Sequence, residues 1–223
     1  MSAGSKLSSA DAPVTPRKPD KPVLWIVAGP NGSGKSSLYN RTDIDGWGGS
    51  VWIINPDLLT AKIVEHEGLA LEVANLQAVQ RVEEWLNSSI NAYQTIGVET
   101  VLSSPKYQIL VDRAHARGFE VRMIYVVLDS AELQAQRIAV RVSEGGHDVP
   151  VDKITARRKR SFEQLIWFFE HVDHCFIFNN SVGEPMPAGA RLGGKLLRRS
   201  PLPADLTATL LDAGIEIIDD PWI

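Results

Sequence analysis

One eight-residue motif constrains this chain more than any other feature of its sequence. Residues 29–36 read Gly-Pro-Asn-Gly-Ser-Gly-Lys-Ser and fit the pattern G-x-x-x-x-G-K-[ST] at every fixed position. Glycines let the backbone curl so that its N–H groups point at phosphate oxygens. Lys35 is expected to reach the β- and γ-phosphates, and Ser36 to offer its hydroxyl to Mg²⁺. The motif therefore predicts a nucleotide-phosphate site.

The flanking sequence supports this interpretation. An apolar run at 23–28 predicts a strand before the loop, and a helix is expected directly after it, adding its positive N-terminal end. The residues expected to hold the nucleotide phosphates are Gly29, Pro30, Asn31, Gly32, Ser33, Gly34, Lys35, Ser36 and Ser37.

Composition restricts the class of protein. The 223 residues are 44% hydrophobic and 22% charged, which suits one soluble domain with a small appendage. The net charge of -4 argues against a general nucleic-acid binder. No apolar run approaches the ~20 residues of a membrane helix, and residues 1–21 lack the apolar segment of a secretory signal. Cys175 is the only cysteine, which excludes an internal disulfide, so we predict a cytoplasmic protein.

Short apolar runs alternate with helical patterns through the middle of the chain. Strands are predicted at 23–28, 51–54, 98–103, 121–128 and 175–178. A helical region is predicted from Leu58, and its later part has a buried stripe of Leu76, Val79, Val82, Leu86 and Ile90. A second helix is predicted from Ser104-Pro105 to Gly118, and a third from an Asp129/Glu132 capping box to about 143. A fourth is predicted over 152–172. The alternation predicts an α/β fold whose central, mostly parallel five-stranded sheet has helices on both faces.

The two ends of the chain differ from this pattern. Residues 1–21 are rich in Ser, Ala, Pro and basic residues, and we interpret them as a disordered arm. Residues 22–181 are predicted to form the core, and 182–223 an extension packed on it. Prolines and glycines predict loops in most of that extension, with a short helix at 204–213 and a last, edge strand at 215–218.

Polar residues follow several predicted strands. Asp57, Ser103, Asn180 and the phosphate loop would share the rim at the carboxyl ends of the strands, where α/β sheets bind ligands. Asp57 could accept the proton of a substrate hydroxyl, or it could cap the following helix. Glu99 lies inside a predicted strand; it could hold Mg²⁺ through water or contact substrate, or it could mark an exposed strand end.

A basic cluster surrounds the sequence Gly145-Gly146-His147. Arg137 and Arg141 share one helix face, and Arg157, Arg158, Lys159 and Arg160 begin the next helix. Two arginine-bearing helices joined by a glycine hinge predict a lid at about 137–160 that excludes water and places guanidinium groups on a transferring phosphoryl group. The alternative is a solvated helix face, and RNA contact is less favoured on an acidic chain.

Four motifs together resemble the zeta-toxin-like kinases, and most of all their bacterial branch of predicted ABC-type ATPases or kinases. They are the phosphate loop, Asn55-Pro56-Asp57, Glu99-Thr100-x-Leu102-Ser103, and Arg137-x-x-x-Arg141-Val142-x-x-Gly145-Gly146-His147-x-Val149-Pro150. Asn179-Asn180-Ser181 is similar to the Asp-Asn-Ser of that branch. The resemblance covers about 24–181. The chain departs from it at Val101, where the family usually has Thr, at Arg158, where an aromatic is common, and at Asn179.

The resemblance implies a P-loop kinase fold with a small helical lid. Zeta toxins of toxin–antitoxin systems transfer the ATP γ-phosphate to the 3′-hydroxyl of the sugar in UDP-N-acetylglucosamine. By position, it implies that Lys35 and Ser36 hold ATP and Mg²⁺ and that Asp57 is the base. Glu99 would lie among the groups around metal and substrate, and Arg141 with Arg157 or Arg160 would supply lid charge. A separate antitoxin protein would be the partner.

Two other functions stay open on the sequence. One is a nucleotide, nucleoside or RNA-end kinase, which differs only in its acceptor. The other is an ATP-binding regulatory module with little turnover, which predicts tight ATP binding without acceptor-dependent ADP release.

Overall fold

The computed structural model describes residues 21–41, 51–144 and 150–220. The strands are β1 (Val23–Ala28), β2 (Ile53–Ile54), β3 (Ile96–Thr100), β4 (Glu120–Val127), β5 (His174–Asn179), β6 (Met186–Leu192), β7 (Lys195–Arg198) and β8 (Ile217–Asp219). The helices are α1 (Lys35–Arg41), α2 (Pro56–Glu67), α3 (Leu71–Asn91), α4 (Gln108–Ala116), α5 (Ala131–Ser143), α6 (Val151–His171) and α7 (Ala204–Asp212). The predicted arm lies almost wholly outside the described residues.

The strands form one sheet in the order β2-β3-β1-β4-β5-β6-β7-β8. Strands β1 to β5 run parallel, β6 is antiparallel to β5 and β7, and β8 pairs in parallel with β7. Every residue of β1 is buried, as expected of a strand covered on both faces. Leu24 and Ile26 belong to one apolar cluster with residues of α3, α4, α6 and α7, whereas Val23 and Trp25 pack in another with Leu38 of α1. Helices therefore cover both faces, and the predicted α/β class is confirmed.

Within the described residues the sheet has eight strands, where the sequence predicted five and an edge strand. Residues 186–198 form the antiparallel hairpin of β6 and β7. The loop predicted at Pro187 and Gly189 was therefore wrong, whereas Gly193 and Gly194 form the turn between the two strands. Proline is depleted in strands, but Pro187 lies beside a bulge between Ile177 and Phe178, where the ladder is irregular. The predicted helix at 204–213 and the last strand are confirmed. The boundary between core and extension at 181 stays a prediction.

Two predicted helix starts were wrong. Ser130, not Asp129, caps α5 by accepting the N–H of Leu133, because the Asp129 carboxylate instead accepts a hydrogen bond from Asn179 of β5. The helix expected after Ser104-Pro105 begins at Gln108, since the intervening residues form turns.

The apolar stripe on α3 was predicted too broadly. Val82, Leu86 and Ile90 are buried, but Leu76 is 61% exposed and Val79 is 37% exposed. Small alanines, Ala74 and Ala78, occupy the buried positions of that half of the helix, where α3 packs against α2. Among the described helices, none has the length and hydrophobicity needed to cross a membrane.

Candidate active site

The phosphate loop connects β1 to α1 with its glycines in backbone conformations that other residues rarely adopt. Gly29 has φ +142° and Gly34 has φ +87°. A Cβ at Gly29 would overlap the carbonyl oxygen of Val126, and one at Gly34 would overlap the side-chain amide of Asn180. Both positions therefore require glycine for lack of space as well as for their backbone angles.

Lys35 begins α1 and is almost completely buried beneath the loop. Its Nζ donates to the carbonyl oxygens of Gly29 at 2.9 Å and Pro30 at 3.1 Å, and lies 3.9 Å from Glu99 Oε1. Burial lowers the pKa of the ammonium group below its usual value, although the carboxylates of Glu99 and Asp57 oppose that shift. The Lys35 ammonium group thus lies, partly desolvated, against the backbone of the phosphate loop.

Several buried polar atoms beside the loop lack a hydrogen-bond partner within the described part of the chain. They are Asn31 Oδ1, Ser33 Oγ and Asn180 Oδ1. Buried polar groups in native proteins are nearly always paired, so unpaired ones near a cation suit a polar ligand. Of these atoms only the Ser33 hydroxyl can donate to a phosphate oxygen, since amide oxygens accept hydrogen bonds. The Ser33 hydroxyl, the glycine cradle and Lys35 fit nucleotide phosphates.

The Glu99 carboxylate is the centre of a hydrogen-bond network. Its Oε2 accepts from Ser36 Oγ at 2.7 Å, Tyr39 Oη at 2.8 Å and Asn55 Nδ2 at 2.9 Å. Burial raises the pKa of the Tyr39 hydroxyl to about 12, and Glu99 adds to the shift, so Tyr39 stays a neutral donor. The Glu99 carboxylate is therefore fixed by three hydrogen bonds, and Glu99 does not mark an exposed strand end.

These residues fit a magnesium ion. Mg²⁺ takes oxygen ligands and is usually held by one or two protein groups, phosphates and water. Ser36 and Glu99 supply adjacent oxygens beside the phosphate loop. Within the described ranges, no group of three or more His, Cys, Asp or Glu could hold a metal by itself, so the phosphates would complete the site.

Asp57 lies at the start of α2 but does not cap it. Asn55 is the cap: its Oδ1 accepts the N–H groups of Asp57 at 2.9 Å and Leu58 at 3.2 Å. The capping alternative for Asp57 is thus wrong, because the helix begins one residue earlier, at Pro56. The Asp57 side chain is exposed and lines a cavity beside the phosphate loop.

A cavity of about 460 Å³ joins the phosphate loop to the ends of β2 and β3. The predicted site residues that line it are Asn31, Gly32, Gly34, Lys35, Ser36, Ser37, Asp57, Glu99, Ser103, Arg137 and Arg141. Asn180 and Arg137 line a neighbouring cavity of about 370 Å³ together with residues 183–185. Asn180 also donates to the carbonyl of Ser33 at 2.8 Å, which fastens the end of β5 to the loop.

The basic cluster is divided between two environments. Arg137 and Arg141 on α5 line the main cavity, and Arg137 also donates to the carbonyl of Ser181 at 3.3 Å. Neither Arg157 nor Arg160 is among the described residues around that cavity. Their lid role stays a prediction, because the expected hinge at 145–149 lies outside the described residues.

Arg158, in the same run of basic residues, is structural. It is 2% exposed and makes a bidentate pair with Asp205 of α7, with Nε–Oδ2 at 2.6 Å and Nη2–Oδ1 at 2.9 Å. Its guanidinium also lies over the Phe162 ring, 4.7 Å from the centroid. This arginine joins α6 to the C-terminal extension and cannot contribute charge to a lid.

The far wall of the cavity is a strained turn that follows β3. Leu102 is buried with φ +58°, a backbone region that bulky side chains rarely adopt. Its N–H bonds Thr100 Oγ1 at 3.0 Å, and the preceding carbonyl, of Val101, accepts from Ser161 Oγ at 2.7 Å. Ser161 in turn shares a 2.7 Å hydrogen bond with the Tyr125 hydroxyl. Two buried hydroxyls from α6 and β4 thus stabilise the turn.

Sequence reasoning missed several residues of this site. Tyr39 is three residues after Ser36 on α1, so helical spacing could have placed it beside the same partner. Lys106 and Tyr107 line the cavity between the turn and α4, and no motif signals them. Tyr125 and Ser161 look like ordinary core residues in sequence.

Comparison with known proteins identifies the family. The fold is that of the P-loop kinases. The family model described as Zeta toxin matches residues 7–181, more than half of the chain. This chain therefore belongs to the zeta toxin family. An uncharacterized protein of Haemophilus influenzae is 24% identical over 143 residues, which make up 60% of this chain and 96% of that protein.

Solved structures share the fold at low identity. The PezAT chromosomal toxin–antitoxin system of Streptococcus pneumoniae includes a chain with a TM-score of 0.57 and 15% identity, covering 74% of this chain and 70% of its own. The AvrRxo1-ORF1:-ORF2 structure with ATP gives a TM-score of 0.63 and 16% identity over 90% of this chain. Our chain spans 66% of that one, about two thirds of its length.

Proposed function

We propose that this protein transfers the γ-phosphate of ATP to a hydroxyl of a small nucleotide-linked metabolite, with UDP-N-acetylglucosamine as the first acceptor to test. The observation that carries the proposal is the single cavity lined by Lys35, Asp57, Glu99 and Arg141. Phosphoryl transfer needs little beyond positioning and charge stabilisation, and such a cavity provides both.

The phosphate loop would bind ATP in this reaction. Its N–H groups and Lys35 would contact the β- and γ-phosphates, while Ser36 and Glu99 would hold Mg²⁺, which neutralises charge on the phosphate oxygens when bound. A solved relative of the same fold was determined with ATP. Arg137 and Arg141 would add guanidinium groups on the side of the cavity facing the transferring phosphoryl group.

Asp57 would act as the base. The acceptor hydroxyl oxygen forms a bond to the γ-phosphorus, the bond from that phosphorus to the β–γ bridging oxygen breaks, and ADP leaves. The hydroxyl proton passes to the Asp57 carboxylate. Asp57 suits this role because it lines the cavity and is not used as the helix cap.

Mass spectrometry of the purified protein with ATP, Mg²⁺ and UDP-N-acetylglucosamine tests the proposal. We expect a UDP-sugar that has gained one phosphate, no product with Lys35→Ala, and a loss of at least about 100-fold with Asp57→Asn. Asp112→Asn, an exposed aspartate on α4, is the matched control and should leave turnover unchanged.

The outcomes separate the alternatives. Phosphate gained by nucleosides or RNA ends instead of the UDP-sugar would favour the second kinase function. Tight ATP binding with no acceptor in a metabolite extract would favour a regulatory module. Unchanged transfer by Asp57→Asn would refute Asp57 as the base.

A separate antitoxin protein and a cytoplasmic location belong to the same proposal. The PezAT system is a toxin–antitoxin system by name, and ATP and UDP-sugars are metabolites of the cytoplasm. Inducible expression of the chain in bacteria should arrest growth, and Lys35→Ala should abolish the arrest. Equal arrest by both proteins would argue against toxicity through phosphoryl transfer.

A further inference from the structure

A single side chain, Asn55, connects the Glu99 carboxylate to the helix that carries Asp57. We propose that Asn55 is a positioning residue for phosphoryl transfer, which fixes these two carboxylates relative to each other. The inference rests on the proposed function, since it gives Asn55 a role in that reaction.

The register of the sheet brings Asn55 beside Glu99. Ile54, the last residue of β2, pairs with Val98 of β3, so the next residues along these parallel strands are Asn55 and Glu99. The backbone of Asn55 is extended, with φ −105° and ψ 110°, and α2 begins at the following residue. Asn55 therefore lies where a strand ends and a helix begins, next to the held carboxylate.

Both ends of the Asn55 amide are used. Nδ2 donates to Glu99 Oε2 at 2.9 Å, and Oδ1 accepts the N–H groups of Asp57 and Leu58. Turning the amide by 180° would set its oxygen against a carboxylate and its NH₂ against two N–H donors. The partners thus permit one orientation only.

Asparagine is the residue that meets both demands at this position. Aspartate would cap α2 equally well, but it would put a second carboxylate against Glu99. Serine would cap the helix but has no second terminal atom to reach Glu99. Alanine would lose both contacts. The amide therefore does more here than cap a helix.

The contacts link two parts of the site. On one side, Asn55 is one of three donors that orient the Glu99 carboxylate, with Ser36 and Tyr39 as the others. On the other side, it holds the first turn of α2 and hence the backbone of Asp57. Removing only the Nδ2 donor should let Glu99 rotate while α2 stays capped.

Three variants test this inference with kinetics, thermal melting and binding of a fluorescent ATP analogue with and without Mg²⁺. Asn55→Ser should melt within about 2 °C of wild type, because it keeps the cap. At saturating ATP and Mg²⁺ its kcat should fall about tenfold, while its affinity for ATP without Mg²⁺ should change less than about twofold. Asn55→Asp should lower kcat by about 100-fold through charge repulsion. Asn87→Ser, on α3 and bonded to Arg113, is the matched control and should match wild type.

Two results would overturn the inference. One is a kcat for Asn55→Ser within about twofold of wild type. The other is a fall in kcat matched by equal losses in melting temperature and in Mg²⁺-independent nucleotide affinity, which would assign Asn55 a purely structural role.

Failure of the proposed function is distinguishable from failure of this inference. If the wild type phosphorylates no acceptor, the gain in nucleotide affinity on adding Mg²⁺ still tests Asn55. That gain should be about tenfold smaller in Asn55→Ser, because residues that orient a metal ligand tune metal affinity. An equal gain in both proteins would refute the positioning role.

Discussion

Gly34→Ala tests how closely the phosphate loop approaches the end of β5. Gly34 has φ +87°, and an added Cβ would overlap the Nδ2 atom of Asn180. Asn180 is 4% exposed, and this same Nδ2 donates to the Ser33 carbonyl. The amide therefore cannot move away from the new methyl group without losing its hydrogen bond.

The loss in free energy of unfolding expected for Gly34→Ala has two contributions. Holding an alanine in the left-handed region costs about 1–2 kcal/mol. Displacing the buried amide from its partner costs about 1–3 kcal/mol more. We therefore expect Gly34→Ala to lower the free energy of unfolding by about 2–5 kcal/mol and to weaken ATP binding at least about tenfold.

Gly68→Ala is the matched control. Gly68 ends α2 with φ +67°, and nothing lies within 4 Å of an added Cβ, so only the backbone contribution of about 1–2 kcal/mol should appear. Urea unfolding measures the free energy of unfolding of both variants. In the double variant Gly34→Ala/Asn180→Ala, most of the steric contribution should be absent. Equal losses for Gly34→Ala and Gly68→Ala would refute the close approach to Asn180.

Three further predictions concern the supports of the site and the acid stability of the fold. Asp205→Ala should lower the free energy of unfolding in urea by about 2 kcal/mol, which is more than the loss expected for Arg158→Met. Asp205→Ala leaves an unpaired guanidinium that is only 2% exposed, whereas Arg158→Met leaves a carboxylate that is half exposed. The reverse order of the two losses would refute this. Ser161→Ala should lower the free energy of unfolding by about 1–2 kcal/mol. It should also raise KM for the acceptor more than KM for ATP, because Val101, whose carbonyl accepts the Ser161 hydroxyl, lines the cavity. Equal changes in both KM values would contradict this. Burial raises the pKa of Asp173, but hydrogen bonds from a backbone N–H and an imidazole lower it below its usual value. The loss in free energy of unfolding caused by Asp173→Asn should therefore reach its full size above about pH 4. That loss should vanish as the pH falls through the lowered pKa. A difference in urea midpoints that persists undiminished at about pH 2 would contradict that assignment.

The sequence predicted the parts of the site that depend on local chemistry. The phosphate loop requires glycines, a lysine and a hydroxyl within eight residues, so its pattern alone located Lys35 and Ser36. Apolar runs located the parallel strands, and strand ends located Asp57 and Ser103 on one rim. Each of these inferences needs only neighbouring residues and the rule that parallel strands end on the same edge.

Some features could not be predicted because they depend on which distant side chains meet. Arg158 has the sequence context of a lid arginine, and only its burial against Asp205, 47 residues away, shows that it is structural. Pro187 and Gly189, which predicted a loop, lie in β6, since pairing with β5 outweighs the weak local preference of the segment.

The sequence by itself determined that the chain has a phosphate loop in an α/β frame, because that information lies in short patterns. Only the tertiary structure decided how the carboxylates are used. Asn55 caps α2 and leaves Asp57 directed at the cavity. Two donors from α1 and the Asn55 amide, directly after β2, converge on Glu99. That arrangement depends on strand register, which pairs residues 44 to 63 positions apart, and no local pattern records it.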